Sequence, residues 1–167
     1  IIIFSNIGSK TGVELKEELN AIFNISIPQV VTSLDLLLKF IEQKSYNTIF
    51  HYGNEKVIEK IKPFVKKIAK DDREKDIDAI IFTSLISNRW IESTEAALNI
   101  ILKKDTDILL GNPDRISPEP PFHFTVTLIL DSLLNLSKTL DNKKNVKEFG
   151  KPYLTKEMIY INKNEKL

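Results

Sequence analysis

Three short segments of the chain carry side chains and backbone suited to holding an anion. Phe4-Ser5-Asn6-Ile7-Gly8-Ser9 sets a hydroxyl and a carboxamide just past an apolar run, and Gly8 lets backbone amides approach a negative charge closely. The plain alternative for this segment is a polar turn or a helix N-terminus. In Gly150-Lys151-Pro152 a lysine is pinned between glycine and proline, which aims its ammonium at a phosphate or carboxylate; a surface turn is the alternative. Gly111-Asn112-Pro113-Asp114-Arg115 is rich in turn formers, and reads either as a simple turn or as a substrate-facing loop whose polar side chains Pro113 fixes.

The rest of the composition acts mainly by exclusion. Lys plus Arg is 24 and Asp plus Glu is 23, a net charge of +1, so the concentrated positive charge that nucleic-acid binding needs is absent. With no cysteine there is no disulfide framework, thiolate nucleophile or cysteine zinc site. The two histidines, His51 and His123, are too few for a multi-histidine metal site. Each reads as a packed histidine with one ring nitrogen satisfied by backbone. Hydrophobic residues at 42% and charged residues at 28% suit an ordinary globular chain of 167 residues. The apolar runs Ile1 to Phe4 and Leu36 to Leu38 fall far short of the ~18–20 residues that span a bilayer, so no membrane partner is expected. The chain opens inside an apolar run at Ile1, which reads as an internal fragment or a chain whose start is absent, and it is silent on targeting. Trp90 and Phe122 read as core or domain-interface anchors.

Positioning the three segments requires strands that end where they begin. Ile1 to Phe4 suits a strand buried on both faces. Thr11 and Glu14 form a T-x-x-E capping box, followed by Leu15, Leu19, Ile22 and Phe23 at helical spacing. A second helix is expected near Ser33, carrying Leu34, Leu37, Leu38 and Ile41. Thr48 to Tyr52 reads as a strand ended by Gly53-Asn54, and Glu55 to Ile61 as a helix stopped near Pro63. Asp78 to Ser84 is another buried strand, and Ser93 is expected to cap a helix with Ala96, Ala97, Ile100 and Ile101 inward. Asp107 to Leu110 is a short strand halted at Gly111. A long apolar helix runs through Val126, Ile129, Leu130, Leu133 and Leu134, then a lysine-rich turn leads to Phe149, and a last helix starts near Thr155. Asp71 to Asp76 reads as a solvated loop. The alternation predicts an α/β fold, whose ligands bind at the carboxyl ends of parallel strands.

Taken in order, these segments resemble the haloacid-dehalogenase (HAD) superfamily phosphatases of subfamily IIA, which carry a large α/β cap. The subfamily includes p-nitrophenyl phosphatases, phosphoglycolate and pyridoxal phosphatases and nucleotide monophosphatases, and the chain looks most like its cat-eye-syndrome-critical-region branch. Ile1 to Ser9 is similar to the second family motif, a strand ending in Ser/Thr-Asn-x-Gly, and Ile27 to Ser33 to the connector that follows. Asp78-Ala79-Ile80-Ile81 resembles the cap strand, and Asn88-Arg89-Trp90 an R-D-W stretch without its Asp. Gly111 to Asp114 resembles the N-P-D that closes the cap, and Phe149 to Pro152 the third motif, F-G-K-P. The resemblance implies a partial Rossmann-like core at residues 1–43 and 116–167 with an inserted α/β cap domain at 44–115. The strands at 48–52, 78–84 and 107–110 then share one sheet, separate from the strand at Ile1 to Phe4.

The resemblance also implies roles. Ser5 would hydrogen-bond the transferring phosphoryl group with the Asn6 amide assisting, and Lys151 would neutralise the phosphate and hold the nucleophilic carboxylate. Asn6, Gly8, Asn112 and Asp114 would bind substrate, the last two from the cap side near the leaving group. Charge-assisted contacts of this kind contribute ~1.5–3 kcal/mol each. A magnesium ion, a small phosphorylated metabolite as substrate, an intracellular location and a homodimer through the cap complete what it implies. The family's Asp-x-Asp nucleophile motif would lie upstream of Ile1 and its magnesium carboxylates beyond Leu167, and its Gly-x-Gly is replaced by Pro121-Phe122-His123-Phe124. The expectation is therefore a fragment of a magnesium-dependent phosphomonoester hydrolase, inactive alone, that transfers phosphoryl to an aspartate outside the chain. The alternative is a non-catalytic HAD-fold interaction or scaffold protein.

Overall fold

Short β-branched runs alternating with amphipathic helices give sheets in which every described strand pair is parallel. The computed structural model describes residues 2–84, 89–103, 106–115, 125–140 and 144–150. Strands β1 (Ile2–Ser5) and β2 (Gln29–Thr32) form a small sheet, with α1 (Gly12–Phe23) between them in sequence. Helix α2 (Ser33–Lys44) leads to a five-stranded sheet of β3 (Thr48–Tyr52), β4 (Lys67–Ala69), β5 (Ala79–Phe82), β6 (Asp107–Leu110) and β7 (Val146–Glu148), in the order β4-β3-β5-β6-β7. Helices α3 (Glu55–Ile61), α4 (Trp90–Ile101) and α5 (Val126–Thr139) connect these strands.

Period-two alternation divides the large sheet's side chains between two apolar layers. Phe50, Tyr52, Ile80, Phe82, Ile108 and Leu110 face Ala97, Ile100 and Ile101 of α4 and Val126, Leu130 and Leu133 of α5. Ile49, Ile81 and Leu109 face Leu34, Leu37 and Ile41 of α2 and Val57 and Ile61 of α3. Residues Ala79 to Phe82 have no exposed surface, as expected of a central parallel strand. A third, smaller cluster joins Leu15 of α1 to Ile27 and Val30 beneath β1.

Both helices flanking the small sheet start from capping boxes. In α1, Thr11 Oγ1 accepts from the Glu14 N–H while the Glu14 carboxylate accepts from the Thr11 N–H at 2.7 Å. Thr32 and Asp35 repeat the arrangement in α2, and Asp35 Oδ2 accepts a further bond from Gly12 N at 2.8 Å. One carboxylate thus satisfies orphan donors at two helix starts. Asp35→Ala should lower the stability of the protein by about 1–2 kcal/mol, read from the denaturant midpoint, whereas loss of one surface contact would leave it within ~0.5 kcal/mol.

The structure corrects the sequence reading at several points. The stretch read as a connector contains β2, whose Val30-Val31-Thr32 pairs with Ile3-Phe4-Ser5. Helix α4 begins at Trp90 rather than after Ser93; Arg89 precedes it at φ 54° with no side-chain cap bond. Trp90 is 54% exposed, not a core anchor. The large sheet holds β3, β5 and β6 together and apart from β1, but it does not end at Arg115: α5 covers one face and β7 pairs with β6 in register Ile108 with Val146. Helix α2, placed before the cap boundary, packs on the other face. The boundaries at 44 and 115 therefore do not coincide with the limits of this α/β layer. Phe122, His123, Lys151 and the helix expected from Thr155 lie outside the described residues. Among the described residues no helix is long and apolar enough to cross a membrane.

Candidate functional site

The parallel strands bring the Ser5–Ser9 and Gly111–Arg115 segments to one place, together with Gly150 of the remaining segment. Ser5 closes β1 opposite Thr32, and the chain turns at once into Asn6 to Ser9. Ser5 Oγ accepts from Ile7 N at 3.3 Å, which leaves its proton available to an outside acceptor. A side-chain carbon at Gly8 would lie 2.8 Å from the carbonyl oxygens of both Gly111 and Thr83, so this loop rests directly on the carboxyl ends of β5 and β6. Only glycine permits that approach.

From the other side, Asn6 Nδ2 donates to Asp114 Oδ1 at 2.8 Å across 108 positions of sequence. The turn holding Asp114 is fixed by α5 and its lead-in: Thr127 Oγ1 donates to the Asn112 carbonyl at 2.5 Å, and Thr125 Oγ1 to the Asp114 carbonyl. Asn112 Oδ1 in turn accepts from Asp114 N at 3.1 Å. Gly150 completes the cluster, since a carbon added there would stand 2.6 Å from Pro113 Cγ and 2.9 Å from Asn6 Oδ1. Phe149, fully buried, donates its N–H to the Leu110 carbonyl at 2.8 Å and packs on Phe40, which anchors the end of β7. Ser5, Asn6, Gly8, Asn112 and Asp114 are thus gathered at the carboxyl ends of the strands, where parallel sheets bind ligands. Lys151 lies one residue past Gly150, outside the described residues.

A cationic tether reinforces the junction. Lys60 Nζ of α3 donates to the Ser9 carbonyl at 3.1 Å and pairs with the Glu14 carboxylate. The Lys60 ammonium, helped by the Thr11 N–H, holds the Glu14 carboxyl down at about 2.

Sequence reasoning missed His51 and Thr83 as a pair. His51 is buried at the end of β3, and its Nε2 shares a 2.8 Å hydrogen bond with Thr83 Oγ1 rather than with backbone. Its Nδ1 is buried without a partner among the described residues, and burial pushes the imidazole pKa down to about 4. The one available signal was a hydroxyl following an apolar strand, which β2 shares with Ser33.

At the opposite, amino end of the large sheet, an open depression of about 320 Å³ is lined by Lys44, Tyr46, Asn47, Asp78 and Asp107. Its carboxylates are engaged: Asp78 accepts from Asn47 N and Thr48 N, and Asp107 from the Tyr46 hydroxyl at 2.6 Å. Burial, then Asp107, raises the Tyr46 hydroxyl pKa above the usual phenol range. These groups clamp strand starts. Among the described residues no three His, Asp or Glu side chains are grouped to hold a metal ion, so these residues do not fit the magnesium site that the family resemblance implies.

No family profile and no curated protein matches the sequence. Solved structures do match. A possible sugar phosphatase of the HAD superfamily from Cytophaga hutchinsonii superposes with a TM-score of 0.71 at 15% identity, over 98% of this chain and 61% of that one. The 4-nitrophenylphosphatase of Thermotoga maritima gives 0.73 at 16% identity, over 98% and 60%. The glycerol phosphate phosphatase of Mycobacterium tuberculosis, solved with magnesium, gives 0.73 at 15% identity, over 96% and 49%. The chain therefore spans about 60% or less of the length of these structures. At such identities the likeness is one of fold, and the fold of this chain is that of the HAD-superfamily phosphatases of the NagD and 4-nitrophenylphosphatase kind.

Proposed function

We propose that this chain supplies the phosphate-holding part of a phosphomonoester hydrolase acting on a small phosphorylated metabolite. The observation that carries the reading is the meeting of the Ser5–Gly8 loop, the Asn112–Asp114 turn and Gly150 at the carboxyl ends of parallel strands. In this reading the Ser5 hydroxyl and the Asn6 backbone N–H donate to phosphoryl oxygens. Lys151, following Gly150 directly, offsets the charge of the phosphate and of the attacking carboxylate. These donors act on charge that grows in the transition state, where fixed dipoles raise rate most. Asn112 stands on the leaving-group side. The phosphoryl group passes from the ester oxygen to an aspartate outside the described residues, the alcohol leaves with a proton, and water then releases inorganic phosphate. A magnesium requirement belongs to the whole protein in this reading, with ligands outside the described residues.

The surface around β1 supports the reading that more of the same protein belongs beside it. Parallel strands are normally covered on both faces, yet the small sheet has two strands among the described residues, with Ile2 44%, Ile22 64%, Phe23 62% and Ile25 53% exposed around it.

The test is hydrolysis of p-nitrophenyl phosphate with magnesium by the full-length protein, beside residues 1–167 alone. We expect turnover from the former and none from the latter. A full-length protein that hydrolyses no phosphomonoester would favour the non-catalytic interaction or scaffold reading.

A further inference from the structure

The loop after β1 is fastened at its tip. Asn6 lies between the Asp114 carboxylate, which accepts from its Nδ2 at 2.8 Å, and Gly150, whose backbone approaches its Oδ1. Asp114 is itself held from behind. Pro113 stiffens the turn, the Asp114 N–H reaches Asn112 Oδ1, and the Asn112 and Asp114 carbonyls accept from Thr127 and Thr125. Thr127 is buried. A carboxylate fixed in this way, beside groups that would receive a phosphate, is poorly matched to contact a phosphate dianion. It is well matched to pull a carboxamide, and the loop behind it, onto the sheet edge through a charge-assisted hydrogen bond.

We propose that the Asn6–Asp114 hydrogen bond is a clamp that seats the loop after β1 on the carboxyl end of the five-stranded sheet, so that Asp114 is a positioning residue for the Ser5 hydroxyl and the loop amides rather than a contact to substrate. The catalytic consequence rests on the phosphatase reading; the clamp itself does not. With it closed, Gly8 stays against the Gly111 and Thr83 carbonyls, and Asn6 keeps its place beside Gly150. With it open, the loop exchanges between positions and the donors lose their alignment.

The experiment is amide hydrogen exchange at Ile7, Gly8 and Ser9 in the full-length protein, with the amides of β5 and β6 as an internal control. Asp114→Asn keeps an acceptor but removes its charge, and should speed loop exchange by roughly threefold, a fraction of what full loss of the bond costs. Asp114→Ala removes the acceptor, and should speed it roughly ten- to a hundredfold. Asn6→Asp opposes two carboxylates and should be at least as damaging. Combining Asn6→Asp with Asp114→Asn restores a carboxylate–carboxamide pair in the reverse sense, and exchange should return to within about threefold of the parent. Unchanged loop exchange in Asp114→Ala, equal acceleration in β5 and β6, or a double variant no better than Asn6→Asp would each overturn the clamp. Should Asn6→Asp fail to fold, Asp114→Ala and the double variant still decide. No substrate is needed, so an inactive protein with this exchange order overturns the phosphatase reading alone, and an active one with flat exchange overturns the clamp alone. Turnover by itself would not separate them, because Asn6→Asp also brings negative charge to the phosphate.

Discussion

Lys151→Ala in the full-length protein should lower kcat for p-nitrophenyl phosphate by about a thousandfold or more, whereas Ser5→Ala should lower it only about ten- to a hundredfold. The difference follows from what each side chain faces. In the phosphatase reading, the lysine of the third motif would oppose two anions at once, the phosphate and the carboxylate that attacks it. Its removal would then leave both charges uncompensated, and a barrier increase of ~4 kcal/mol is a thousandfold in rate. In the same reading Ser5 would supply one hydrogen bond to a charged group, ~1.5–3 kcal/mol. Ser5→Ala should also leave the fold intact, because the pairing of β1 with β2 at Ser5 and Thr32 runs through backbone. Among the described residues its side chain bonds the nearby Ile7 N–H alone, so the thermal midpoint should stay within ~2 °C of the parent. Equal turnover for Lys151→Ala and the parent would show that the F-G-K-P resemblance is a coincidence of turn chemistry.

Strands β3 and β6 were legible to the residue, because each is a short, mostly apolar run broken sharply, by Gly53-Asn54 in one case and Gly111 to Asp114 in the other. Helix α1 announced itself through a capping box that depends on neighbours three residues apart. The missed strands lack such local marks. Val146-Lys147-Glu148 is extended because Leu110 and its neighbours offer a ladder to pair with, and Lys67-Ile68-Ala69 because Thr48 to Phe50 do. At α4 the local cap signal at Ser93 lost to a start at Trp90, after a left-handed Arg89.

The site divides in the same way. Each anion-suited segment reads equally well as a turn, and its residues gain meaning from meeting at one strand edge, which the α/β pattern predicts in general. The particular bonds are not legible. Asn6 and Asp114 stand 108 positions apart, and their pairing follows from Gly8 lying on the ends of β5 and β6. The partner of His51 depended likewise on β3 and β5 pairing in register, His51 opposite Ile81, with Thr83 just beyond.

That histidine should make the protein lose roughly 2 kcal/mol of stability between pH 7 and pH 5. His51 is 7% exposed, its Nε2 is taken by Thr83 Oγ1, and its Nδ1 has no acceptor among the described residues to receive a second proton's hydrogen bond. Burial therefore holds its folded pKa at about 4, against ~6.5 in an unfolded chain. The sign follows directly. Below about 6.5 the unfolded state binds a proton that the folded state refuses, so stability is complete above that pH and declines as pH falls toward 4. Glu14, held at about 2, acts in the same direction but at more acidic pH, below its ordinary value of 4.5, so the interval from 7 to 5 isolates the histidine from it. A loss of this size is a large share of the ~5–15 kcal/mol that folded domains possess. His51→Gln keeps a donor for the Thr83 hydroxyl but cannot titrate. Its denaturant midpoint should start lower at pH 7, from imperfect packing, and then change far less than the parent's on going to pH 5. An equal decline in parent and variant would place the titrating group elsewhere and remove His51 from the account. A flattened decline would assign the titration to His51, whose partner Thr83 is also the residue whose carbonyl supports the loop at Gly8.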